Sequence, residues 1–146
     1  MPYTYDYPRP MVTVDAAVFK MQRNSLHILL VKRKNDPFKD CWAIPGGFVE
    51  MNESLDEAVA RELEEETGLK NVLLMQLYTY GDVDRDPRGR TITVLYYGYL
   101  TDSKTKVKGN DDASEAKWFP INNLPPLAFD HNKICEHLKA IIPEME

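Results

Sequence analysis

Cysteine is scarce in this chain: 146 residues hold two, Cys41 and Cys135. Two cannot build a disulfide framework, so they read as free thiols of a reducing compartment. Cys41, beside Trp42 in an expected strand, reads as core filling rather than as a nucleophile. No apolar run approaches the roughly 20 residues that a membrane helix needs, and the N-terminus lacks a signal-peptide pattern. A cytoplasmic location with no membrane partner is the expectation. Positive charge is also short. Lys and Arg total 18 against 23 Asp and Glu, a net charge of −5, which argues against a nucleic-acid-binding surface. Internal repeats and low-complexity linkers are absent. What is left is one domain at residues 11–146, long enough to bury a core unaided, preceded by a polar, Tyr- and Pro-rich arm at residues 1–10.

The pattern along that domain interleaves strands with two helices. Thr13 to Phe19 is apolar and β-branched, and Leu26 to Lys32 follows after a hairpin-like Gln22 to Ser25. Val72 to Tyr80, Thr91 to Leu100 and Ala116 to Pro120 are further strand candidates. Asp102 to Asp112 is a turn-rich connector with Gly109-Asn110. Ser54 to Thr67 reads as one helix, with a capping-box pattern at Ser54 and Glu57 and a stop at Gly68. Asp130 to Ile142 reads as the other. Such an order predicts an α/β fold with the sheet covered on both faces.

The first helix has an odd face. At roughly 100° per residue, Leu55, Ala58, Val59, Glu62, Glu65 and Glu66 share one stripe, apolar at its start and acidic at its end. Three carboxylates thus follow the packing direction, at the negative end of the helix dipole. Glu62 repels Glu65 and Glu66 at helical spacing, about 0.2–0.5 kcal/mol for each pair. The cluster asks for a cation, and oxygen-only ligands suit Mg²⁺ or Mn²⁺.

From Gly47 to Leu69 the residues Gly47, Glu53, Arg61, Glu62, Leu63, Glu65, Glu66, Gly68 and Leu69 fill every defined position of the Nudix box, G-x5-E-x7-R-E-U-x-E-E-x-G-U with U aliphatic. Trp42 to Glu50 also resembles the usual approach to that box, and the likeness extends from about Val12 to Ile141. The resemblance implies a Nudix-type α/β/α sandwich with a mixed central sheet. It also implies metal-dependent hydrolysis of a nucleoside diphosphate linked to another group. Glu62, Glu65 and Glu66 are then the expected metal ligands, and the resemblance adds the backbone carbonyl of Gly47. Glu53 and Arg61 are expected to form an internal ion pair of the box. Glu66, Glu50 and Glu115 are the general-base candidates, and Glu65 shares the catalytic cluster; the resemblance does not choose among them.

Substrate choice must come from outside the box. The loop Gly81 to Arg90 alternates Asp and Arg, and Arg85, Arg88 or Arg90 could contact phosphate or ribose. Arg33 and Lys34 are a second phosphate-contact pair. Tyr78, Tyr80, Tyr96, Trp42 or Phe48 could stack on adenine, although aromatics in strands usually fill cores. The Gly81 to Arg90 loop, Ala113 to Pro120 and Leu127 to His131 are together similar to ADP-ribose pyrophosphatases and to the Nudix half of ADP-ribose-sensing transcription regulators. Hydrolysis of ADP-ribose to AMP and ribose 5-phosphate is therefore the expected activity. The alternatives are a pool-cleaning pyrophosphatase for oxidised nucleoside triphosphates or dinucleotides, and a sensor that binds ADP-ribose without cleaving it. The intact box and a sequence ending at Glu146, after one helix, favour the enzyme. The expected partner is a nucleotide-type small molecule, and a homodimer is left open.

Overall fold

The computed structural model describes residues 2–101 and 113–145. Its elements, in chain order, are β1 (Met11–Gln22), β2 (Ser25–Arg33), β3 (Trp42–Ala43), β4 (Gly46–Phe48), α1 (Leu55–Thr67), β5 (Met75–Tyr80), β6 (Thr91–Tyr99), β7 (Ala113–Pro120) and α2 (His131–Met145). Residues 2–10 carry neither strand nor helix, and the expected connector at 102–112 lies outside the described residues.

β1 is the central strand of a mixed sheet. On one edge it pairs with β6 in parallel, from Met11 opposite Thr91 to Phe19 opposite Tyr99. Its other edge is divided. β2 pairs with its far end, Phe19 opposite Ile28, and β4 with its near end, Thr13 opposite Phe48 to Asp15 opposite Gly46. Past Ile28, β2 leaves β1 and pairs with β3 on that edge, while its other edge pairs with β7 from His27 to Arg33. β5 closes the outer edge, antiparallel to β6. The β1–β2 hairpin turns through Arg23 and Asn24, both at positive φ (53° and 64°), the pair of left-handed residues that a tight two-residue hairpin requires.

Side chains alternate along β1 to serve two cores. Val14, Ala16 and Val18 pack with Ala58, Val59 and Leu63 of α1. Ala17 and Phe19 pack with Ile134, Cys135 and Leu138 of α2. Burial on both faces explains why the strand reads as a nearly continuous apolar run, interrupted by Thr13 and Asp15. Cys135 is fully buried, whereas Cys41, just before β3, is only partly so. The core thiol is therefore Cys135 rather than Cys41.

α1 begins as the sequence predicts. Glu57 N–H donates to Ser54 Oγ at 3.1 Å, and Ser54 N–H returns a bond to Glu57 Oε1 at 2.9 Å. Gly68 ends the helix at φ 81°, its N–H donating to Glu64 O. The buried face is Ala58, Val59, Leu63, Glu66 and Thr67. It is rotated from the expected stripe, so Leu63 packs inward and Glu65 moves to the rim. Asp56, expected on a plain solvent face, accepts a 2.6 Å bond from the Tyr96 hydroxyl. Tyr96 is itself buried in the α1-side core.

Candidate active site

Where β2 parts from β1, the sheet opens into a cleft of about 440 Å³. Gly46 and the box residues Gly47, Glu50, Arg61, Glu62 and Glu66 form part of its walls. Arg33 comes from β2, Arg85, Asp86 and Arg88 from the β5–β6 loop, and Phe129 and His131 from the approach to α2.

Arg61 is the hub of the box. Its guanidinium donates to Glu53 (2.9 and 2.7 Å), Glu62 (2.9 Å), Glu65 (3.1 Å) and the Phe48 carbonyl (3.1 Å). The bonds from Arg61, and then the backbone N–H of Glu50, hold the Glu53 carboxyl down at about 2. In turn the bond to Glu53, ahead of those to Glu62, raises Arg61 further above its ordinary value. The expected Glu53–Arg61 pair is present, and it extends to two of the clustered carboxylates. Arg61 thus relieves the like-charge repulsion within α1. Glu66 turns inward instead, its Oε1 accepting from Gly46 N–H at 2.8 Å.

Every donor that the box offers a cation is oxygen, as Mg²⁺ or Mn²⁺ prefers. Gly47 lies against the Glu62 carboxylate: a Cβ there would stand 2.5 Å from Cδ and 2.6 Å from either oxygen. Glycine therefore keeps bare backbone beside that carboxylate. Among the described residues no three His, Cys, Asp or Glu side chains are already gathered as a cation site. Arg61 takes oxygens of Glu62 and Glu65, and Gly46 takes one of Glu66. The donor chemistry fits a hard cation, because each of these carboxylates has further lone pairs beyond those that Arg61 and Gly46 N–H take.

The arginines of the Gly81 to Arg90 loop have three different fates. Arg85 forms a two-pronged pair with Asp130 (2.9 and 2.6 Å) and is nearly buried, with 5% of its side chain exposed. Burial works against its charge, and the bond to Asp130 more than restores it. Arg88 is braced by Asp86, from Nη2 to Oδ2 at 2.8 Å, and its Cζ lies 4.8 Å from the Phe48 ring centre and 4.6 Å from that of Phe129. Burial alone would raise the Asp86 carboxyl, but the side-chain and backbone bonds from Arg88 bring it below its ordinary value. Arg90 reaches back to the Asp82 carbonyl at 3.4 Å and does not line the cleft. Arg33 does line it, with Cζ 4.9 Å from the Phe129 ring centre and Nε donating to Pro37 O.

Deeper in the cleft lies a group that the sequence reading did not single out. Asp15 Oδ2 accepts from the Thr93 hydroxyl at 2.6 Å. His131 Nδ1 accepts from Ile44 N–H at 3.0 Å, so the neutral ring carries its proton on Nε2, 4.0 Å from Asp15 Oδ1. Burial pushes the Asp15 carboxyl up, against the pull of His131 and the Thr93 bond, and burial pushes His131 down. The signal was available: Asp15 is a carboxylate inside an apolar strand buried on both faces, where charge is rare unless it is used or paired.

Of the sequence candidates, Gly47, Glu50, Glu62, Glu66, Arg61, Arg33, Arg85 and Arg88 therefore share one cleft. Glu65 stands at its rim, with 41% of its side chain exposed and held by Arg61. Glu115 is not brought there. On β7 opposite Lys32, it faces Lys32 at 3.9 Å and Lys117 at 3.5 Å. Among the aromatics, Phe48 lines the cleft, Trp42 and Tyr96 pack into the cores, and Tyr78 and Tyr80 cluster with His137 of α2.

Comparison with known proteins bears on the family and the fold. The NUDIX domain family model matches residues 9–138. An ADP-ribose pyrophosphatase of Methanocaldococcus jannaschii is 49% identical over 89% of this chain and 73% of its own length. The ADPR-responsive transcriptional repressor NtrR of Acinetobacter baylyi is 38% identical over 92% of this chain, which spans 55% of that protein. The NUDIX domain of Shewanella oneidensis NrtR, solved with ADP ribose, superposes with a TM-score of 0.85 at 35% identity, covering 94% of both chains. Box, fold and relatives agree: the chain belongs to the Nudix family and is a Nudix hydrolase.

Proposed function

We propose that this hydrolase cleaves ADP-ribose to AMP and ribose 5-phosphate in a reaction that depends on Mg²⁺ or Mn²⁺. The observation that carries this reading is that Glu62 and Glu66 of the box and three arginines from outside it, Arg33, Arg85 and Arg88, open onto one cleft, of a size that suits a small-molecule ligand. The 49% identity to an ADP-ribose pyrophosphatase supports the choice of substrate.

Glu62, Glu65, Glu66 and the Gly47 carbonyl would hold the cation. Bound there, a divalent cation neutralises diphosphate charge and makes water a better nucleophile. The chain does the rest. Arg33 and Arg88 face the diphosphate and orient it with charge-assisted bonds, Arg88 being pre-set by Asp86. Glu50, in the cleft wall and outside the Arg61 network, takes the proton from the attacking water. Glu66 is fixed by Gly46 N–H and is the second carboxylate able to do so. Comparing the pH profiles of Glu50→Gln and Glu66→Gln separates them: the base is the one whose loss abolishes the acidic limb of kcat.

A sensor role has support of its own, since the NrtR domain solved with ADP ribose has the same fold. The test is a side-by-side assay of ADP-ribose, an oxidised deoxynucleoside triphosphate and a dinucleoside polyphosphate. Cleavage of ADP-ribose with the highest kcat/KM supports the proposal. Preference for either other substrate refutes the substrate assignment, and binding of ADP-ribose without cleavage leaves the sensor.

A further inference from the structure

The structure assigns a second function to the depth of the cleft: we propose that Asp15 and His131 together hold a sugar hydroxyl of the substrate. This rests on the ADP-ribose reading. Both side chains are more than nine-tenths buried, His131 at 4% and Asp15 at 6% exposure. Each has one committed atom. Ile44 N–H occupies His131 Nδ1 and the Thr93 hydroxyl occupies Asp15 Oδ2. His131 Nε2–H and Asp15 Oδ1 are left, 4.0 Å apart, too far to bond each other. No buried side-chain N or O among the described residues lacks a partner, so both atoms open onto the cleft that they line.

One donor and one acceptor across such a gap fit a group that does both. A hydroxyl oxygen about 2.8 Å from each atom accepts from His131 and donates to Asp15. A phosphate oxygen, which only accepts, would satisfy His131 and meet the Asp15 oxygen as repulsion. Gly46 keeps the place clear, because a Cβ there would land on Asp15 Oδ1. The same glycine holds Glu66, so the hydroxyl site adjoins the box. ADP-ribose has two sources of hydroxyls, the terminal ribose and the adenosine ribose.

The test measures kcat/KM with Mg²⁺ in the parent, His131→Asn and Asp15→Asn. The substrates are ADP-ribose and two analogues, one with cyclopentylmethyl in place of the terminal ribose and one with 2′,3′-dideoxyadenosine. His131→Asn can still offer an oxygen to Ile44 N–H while removing the Nε2 donor, and it decides the matter if Asp15→Asn fails to fold. The parent should prefer ADP-ribose to one analogue by about a hundredfold, a buried hydroxyl contact being demanding to lose. In the variants that preference should fall below about fivefold, and the analogue concerned identifies the ribose. A preference that survives in the variants, with all substrates weakened together, means a merely structural pair and overturns the proposal. A parent that cleaves ADP-ribose but discriminates against neither analogue means that the pair holds only water, and also overturns it. A parent that does not cleave ADP-ribose overturns the substrate reading along with it.

Discussion

Gly46 and Gly47 are neighbours, yet a methyl group added to each should fail in opposite ways. Neither has positive φ, so alanine is not excluded by backbone conformation. At Gly47 the new Cβ would stand 2.5 Å from the Glu62 carboxyl carbon, where ordinary contact begins at 3.4 Å. The carboxylate must retreat by about 0.9 Å, and it is the far end of a flexible side chain, so the fold gives little. A misplacement near 1 Å at a reacting centre costs on the order of 10²-fold in rate, about 2.7 kcal/mol of barrier. At Gly46 the new Cβ would land on the Val14 backbone carbonyl, which cannot retreat without moving β4 off β1. Overpacking of that kind costs about 1–3 kcal/mol or more, and a domain of this size then melts roughly 5–10 °C lower. The assay pairs thermal unfolding with ADP-ribose turnover in Mg²⁺. Gly47→Ala should melt within about 2 °C of the parent and turn over a hundredfold more slowly, while Gly46→Ala should lose stability. A fully active Gly47→Ala would refute the placement of Glu62 beside that backbone as part of the machinery.

Three further expectations follow from the same geometry. Glu62→Gln and Glu66→Gln keep an oxygen for Arg61 and Gly46 N–H but lose charge, so each should fold and lose about 10²–10⁴ in kcat; normal turnover would make the acidic face ornamental. Arg88→Ala should raise KM for ADP-ribose about ten- to a hundredfold with a smaller effect on kcat, while Arg90→Ala, bonded to Asp82 O outside the cleft, should leave both constants near the parent's. The Glu53 carboxyl, held at about 2, titrates lower in the folded than in the unfolded chain. Its contribution to stability is complete above its ordinary value and is lost as pH falls toward 2. Denaturant melts should show a larger penalty for Glu53→Gln at pH 6 than at pH 3, and an equal penalty at both would contradict the Arg61 pairing.

The box was legible because its signal is local. Ser54, Glu57 and Gly68 punctuate α1 within one helix length, and the spacing of Glu53, Arg61, Glu62, Glu65 and Glu66 is read directly off the chain. What periodicity could not give was the rotation of α1 about its axis. That is set by Leu63 packing with Val14, Ala16 and Val18 of β1, and it sends Glu65 to the rim. The loop arginines resisted for a different reason. Arg85, Arg88 and Arg90 look alike in sequence, and their fates depend on Asp130, Asp86 and Asp82, of which Asp130 is far away in the chain. Asp15 and His131 are 4.0 Å apart across more than a hundred residues, so only the folded sheet brings them together. Glu115 illustrates the converse: a carboxylate ahead of a strand looks available until pairing sets it opposite Lys32.

The central claim is metal-dependent hydrolysis of ADP-ribose at the box, and phosphorus NMR of ADP-ribose incubated with the protein tests it most directly. With Mg²⁺ or Mn²⁺ the two diphosphate resonances should give way to two monophosphate resonances, those of AMP and ribose 5-phosphate. Excess chelator should stop the conversion, and added cation should restore it. Persistence of the diphosphate signals with either cation, or full conversion in chelator, would contradict the account.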